Sequence, residues 1–176
     1  YWRRRNCYFF CDGELMADTK RERILSSIKD IIETSLLTTQ AGVFILTQSG
    51  DQLISDNDLN ATVYRSRVEP LTRGETPAVI IEAVNDQPID TNFYDQLDWT
   101  LRVRITTLVR DNDPDDTSDL YTKAVHRNFV SQSTLKGECL DVVPDRVDFS
   151  LFEADVPLAV VSQDFLVRYR TARTSG

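Results

Sequence analysis

The sequence predicts an α+β domain, a mainly antiparallel sheet with two helices packed on one face. Three observations lead there. Residues 19–37 repeat apolar side chains at helical spacing, Phe93–Asp111 alternates them with period two, and such patterns recur in the order helix, strands, helix, strands. At 176 residues the chain has the size of a single domain, and 41% hydrophobic with 27% charged residues is an ordinary globular balance. The expected division is an N-terminal extension, 1–15, followed by one α+β domain, 16–176.

The first helix is the most regular element. Ile24, Leu25, Ile28, Ile31, Ile32 and Leu36 share one face, Asp18 or Thr19 can cap the start, and Gly42 ends the segment. "VFILT" (43–47) reads as a short strand, and the polar 48–61 as a long loop or hairpin. Residues 62–68 alternate Val63, Arg65 and Arg67 against Tyr64, Ser66 and Val68, a strand signature. "AVIIEAV" (78–84) is apolar on both faces and reads as a central strand. In the next strand Leu97, Trp99, Leu101, Val103, Ile105 and Val109 line one face, interrupted by Thr107, while Arg102, Arg104 and Arg110 lie on the other. Residues 111–116 ("DNDPDD") read as a solvated loop. The second helix is expected over 117–133, capped by Thr117 or Ser118, with Leu120, Tyr121, Ala124, Val125 and Phe129 inward. Residues 138–155 predict one or two short strands interrupted by Pro144. The last strand alternates Phe165, Val167, Tyr169 and Thr171 with Leu166, Arg168 and Arg170.

Residues 1–15 ("YWRRRNCYFFCDGEL") follow no periodicity. Met16 opens "MADTKRERILSSI", a normal N-terminus, and Gly13-Glu14 can be encoded by a ribosome-binding-like purine run. The expected native start is therefore Met16. No signal peptide or apolar run of about 20 residues is present, so no membrane span is expected. Three cysteines do not make a disulfide framework, and a reducing compartment is the default.

Catalytic and metal motifs are weighed and set aside. Cys7 and Cys11 could form half of a zinc site, but only Cys139 and His126 could complete the four ligands. Asp111, Asp113 and Asp115 alternate as in a calcium loop, yet the sixth and twelfth positions hold Asp116 and Thr122 instead of Gly and Glu. His126, the single histidine, has no nucleophile elbow to serve. Six glycines never fall at phosphate-loop spacing. Glu82 is expected inside a strand. Asp86 and Asp90 are expected to flank Pro88 in a turn, as turn formers rather than acids for catalysis. No cofactor, metal or catalytic residue is expected.

Arg102, Arg104 and Arg110 on one strand and Arg168 and Arg170 on another would form a ladder if those strands are neighbours. Either they pair across strands with acids such as Asp98 and Asp164, or they form a docking face.

The order of elements, with "TPAVIIEAV" (76–84), "LDWTLRVRITTLV" (97–109) and the closing "FLVRYRT" (165–171), resembles the tail terminator, or tail completion, proteins of long-tailed bacteriophages of the lambda type. The resemblance spans about residues 17–173. It implies a non-enzymatic virion subunit at the tail–neck junction, assembled in the bacterial cytoplasm. There it forms a homo-hexameric ring that caps the tail tube, stops its polymerisation and meets neck or connector proteins; a contractile tail would add a sheath protein. DNA would pass the lumen without specific binding, which suits a net charge of −8. A closed ring needs two different patches per subunit. The expected pair is Arg102, Arg104, Arg110, Arg168 and Arg170 against Asp111, Asp113 and Asp115. The alternatives are another neck or head-completion connector, a small enzyme, or a monomeric host-directed binding module.

Overall fold

The computed structural model describes residues 19–37, 61–67, 69–89 and 96–172. The expected strand 43–47, most of the loop 48–61, Asp90 and the N-terminal extension lie outside the described residues. The described elements are helix α1 (Lys20–Leu37), strands β1 (Thr62–Arg65), β2 (Ala78–Ile89) and β3 (Gln96–Arg110), helix α2 (Pro114–Ser131), and strands β4 (Asp141–Phe152) and β5 (Leu158–Ala172). The fold is α+β, as the alternation of patterns predicts.

Five strands form one sheet in the order β1-β2-β3-β5-β4. β1 runs parallel to β2; every other pairing is antiparallel. The parallel pair is possible because about a dozen residues connect its strands, enough for a crossover. β3 and β5 form the spine, in unbroken register from Gln96↔Ala172 to Arg110↔Leu158. Their apolar face is odd-numbered in both strands. Leu101, Val103 and Ile105 sit opposite Val167, Phe165 and Gln163, all at most 3% exposed.

Both helices lie on that face. α1 contributes Ile24, Ile28, Ile31 and Ile32, and α2 contributes Tyr121, Val125 and Phe129, to one core with β2, β3 and β5. Thr19 caps α1, its Oγ1 accepting from Glu22 N at 3.3 Å. Phe129 meets Phe165 with ring centroids 4.5 Å apart at 49°, a tilted aromatic contact at the centre of the helix–sheet layer.

Four expectations are corrected. α2 begins three residues before Thr117, with Asp113 at the cap position and Pro114 opening the helix, where its missing N–H costs nothing. Thr117 and Ser118 therefore lie inside the helix, and Leu120 is 51% exposed because the face of α2 packed on the sheet centres on Tyr121, Val125 and Phe129. Asp86 and Pro88 are not in a turn. They belong to β2, opposite Leu101 and Trp99. β4 is one continuous strand through Pro144, which an edge strand tolerates because its N–H side need not pair. The strand at 62–68 stops at Arg65, since Ser66 has φ 50° and leaves the extended region.

Removing the ring at the helix–sheet centre should be costly. Phe129→Ala is expected to lose about 3–5 kcal/mol. Urea unfolding should show a lower midpoint at unchanged slope.

Candidate functional site

The face of the sheet away from the helices carries the arginines. Because β3 and β5 are neighbours in register, the row expected from the sequence exists. Its members differ in what they do. Arg104 donates from Nε and Nη2 to both carboxylate oxygens of Asp164, at 2.7 and 3.0 Å. Arg170 holds Asp98 the same way, at 2.5 and 3.0 Å. These are cross-strand pairs, with Asp98 opposite Arg170 and Arg104 opposite Asp164. Both aspartates are buried, at 5% and 2% exposure, and bidentate pairing is what makes such burial tolerable. Arg102 lies 3.2 Å from Asp145 and 3.8 Å from Asp164, and Arg146 lies 3.7 Å from Asp164, so three guanidiniums converge on one buried carboxylate.

Arg168 is exposed on the same face. Arg110 ends the row half-buried, its Nε covered and without a hydrogen-bond acceptor among the described residues. The three aspartates expected to face the arginines serve α2 instead or lie at its start. Asp111 accepts from Asn112 N and from Thr117 Oγ1, Asp113 holds the cap position, and Asp115 sits exposed in the first turn, where its charge suits the helix dipole.

Hydrogen bonding by Arg104 holds the Asp164 carboxyl below the usual carboxylate range against the opposing effect of burial. Arg170 does the same for Asp98. A carboxyl with a depressed folded value adds stability above its unfolded pKa of about 3.9 and loses it as pH falls through the lower folded value.

A bulge in β2 between Ala83 and Asn85 shifts the strand's parity. It turns Asp86 to the helix side, where it accepts from Tyr169 Oη at 2.6 Å. Burial first, then this bond, push the Tyr169 phenol far above its ordinary value. Trp99 stacks on Tyr169 with centroids 6.4 Å apart and donates to Thr171 Oγ1 at 3.0 Å. At the β1 edge, Arg67 and the Thr72 backbone and hydroxyl bring Glu75 down to about 2. Glu22 binds Arg65 and so ties α1 to that edge.

No group of three or more potential metal ligands occurs among the described residues. His126 is exposed on α2, its ring 6.2 Å from that of Phe165. Cys139 is buried, with Sγ 3.4 Å from the Ser133 carbonyl. Burial above all pushes its thiol up to about 11, so the reactive thiolate is scarce. No helix among the described residues is long and apolar enough to cross a membrane.

The feature that sequence reading missed is β4. Beyond Val142 every residue of the strand is exposed. Val147, Phe149 and Leu151, at 42%, 60% and 63% exposure, sit on the helix side opposite Gln163, Val161 and Ala159. The period-two string "RVDFSLF" carries this row, but nothing in it says that no helix lies above.

Comparison with known proteins adds little. No protein-family model matches the chain, and no curated protein matches it. Among solved structures the chain is similar to one described as "Virion of native gene transfer agent (GTA) particle", at 14% identity and a TM-score of 0.45, over 62% of this chain and 79% of that one.

Two outcomes follow from the paired groups. Asp164→Asn is expected to cost about 1–3 kcal/mol at neutral pH and to flatten the loss of stability below about pH 4; thermal melting from pH 2 to 7 reads both. With Cys7 and Cys11 replaced by Ser, Cys139 should resist a thiol-reactive dye at pH 8 until denaturant is added.

Proposed function

We propose that this chain is a tail terminator: a structural virion subunit that forms a ring, caps a tail tube and offers its other side to neck proteins. The observation that carries the reading is a sheet backed by helices on one face and ending in an edge strand, β4, whose row Val147, Phe149 and Leu151 is apolar and exposed. Monomeric proteins rarely leave such an edge uncovered, because it invites pairing. The order of elements behind the resemblance is further support.

The charged groups support a structural role as well. Asp98, Asp164, Glu75 and Glu22 are each held by an arginine, and none stands opposite a nucleophile or in a metal cluster among the described residues. A non-enzymatic subunit uses its arginines in this way, to hold a sheet stiff. Net charge of −8 keeps DNA moving through a ring without gripping it. In this reading Arg168, exposed on the arginine face, meets the tube or neck partner.

Native mass spectrometry of the purified chain, alone and with its tail tube protein, tests the proposal. The expected result is a closed ring that binds tube ends, with Arg168→Glu weakening tube capping about tenfold and leaving the ring intact. A chain that stays monomeric beside tube protein, or that turns over a substrate, would overturn it.

A further inference from the structure

Ten large hydrophobic side chains are notably exposed among the described residues, and seven of them fall between Leu140 and Val156. Exposed apolar area of a monomer is normally scattered. Here it is gathered on one strand and its turn. α1 and α2 cover the sheet from β1 to β5, and α2 reaches only the near flank of β4, leaving Val147, Phe149 and Leu151 exposed on the helix side.

The first half of β4 is guarded. Pro144 lies in it, the register shifts between Pro144 and Arg146, and Arg146 pairs with Asp148. Proline, bulges and charges are the usual means of blunting an edge. The second half, Phe149–Phe152, has none of these. Between it and α2 lies a groove of about 160 Å³, lined by Asp115, Ser118, Phe149, Leu151, Ala159 and Val161. Gln163, 3% exposed and opposite Val147, donates to Thr122 O at 2.9 Å, while its Oε1 is buried without a donor among the described residues.

The surroundings of the groove specify its occupant. Asp115 lines the groove, and Glu153 and Asp155 are exposed in the turn that follows β4, so its end is acidic. A fitting partner is therefore an apolar surface with cations. This chain carries one. On α2 the residues Leu120, Lys123, Arg127 and Val130 are exposed and follow one another at spacings of three and four, on the side away from Tyr121, Val125 and Phe129. The lengths agree. Ten helical residues rise about 15 Å, and the four strand steps from Val147 to Leu151 span about 14 Å.

We infer that the bare half of β4 seats a second copy of this chain, through the outward stripe of that copy's α2. The second copy's helix supplies the cover that this sheet lacks over β4. Its cations meet the acidic rim, and its own β4 seat remains open to a third copy. The contact is head-to-tail, joining two different patches, the kind that builds rings. The inference rests on the ring reading for its biological meaning and names the contact that makes the ring.

Sedimentation and native mass spectrometry of the full chain test it. Phe149→Asp with Leu151→Asp spoils the seat, and Lys123→Glu with Arg127→Glu spoils the stripe. All four positions are exposed, so circular dichroism should report an intact fold. Each double variant is expected to weaken self-association at least tenfold. An equimolar mixture should give dimers and stop there, because each variant keeps one working patch. Asp115→Lys with Glu153→Lys, added to the stripe variant, should restore assembly. Rings formed normally by either double variant would overturn the inference and leave the ring reading standing. So would loss of tube binding alone, which would assign the seat to the tube protein. A wild-type chain that is monomeric at every concentration would sink both.

Discussion

Everything in this molecule depends on the pairing of β3 with β5. Fifteen residues of each strand run in one unbroken register. Side chains alternate faces with period two, so a slip of one residue would exchange the faces entirely. Val103 and Phe165 would leave the core, and Arg104 and Asp164 would enter it. The two sides reinforce one another. Apolar odd residues require the helices above, and the bidentate Arg104–Asp164 and Arg170–Asp98 pairs lock the opposite side. Since Asp164 is buried, its arginine is a condition of the register rather than an ornament of the surface.

On either side of that spine the sheet changes parity, in each case through a bulge. In β2 the extra residue falls at Val84 and sends Asp86 toward Tyr169, so an acid that reads as solvated joins a half-buried hydrogen bond. In β4 the shift falls at Asp145. It places Val147, Phe149 and Leu151 on the helix side and brings Asp145 toward Arg102. One inserted residue thus decides that the second half of β4 turns Val147, Phe149 and Leu151, rather than Arg146 and Asp148, to the helix side.

The same economy separates stability from assembly. Arginines that a sequence reader would assign to docking mostly hold the subunit's own carboxylates. The surface left for a partner is apolar, at the sheet edge, with acids around it. Desolvating an apolar strip is favourable at about 25 cal/mol per Å² without the penalty of stripping water from charges. The acidic rim then selects the orientation of a basic partner rather than supplying most of the affinity.

The sequence by itself determined the α+β class, the extent of α1 with a cap at Asp18 or Thr19, the alternation of β3 and β5, and the arginines along one face of each, because local periodicity records which face of each element avoids water. It did not determine the start of α2. Pro114 is as much a loop residue as a helix opener until the helix is docked. Nor did it determine the course of β2 through Asp86 and Pro88, since bulges are set by the neighbouring strand's register. Which arginines are spoken for, and the uncovered flank of β4, were decided only by tertiary structure. Ion pairing and coverage are relations between elements distant in the chain, and no one segment carries a record of what lies above it.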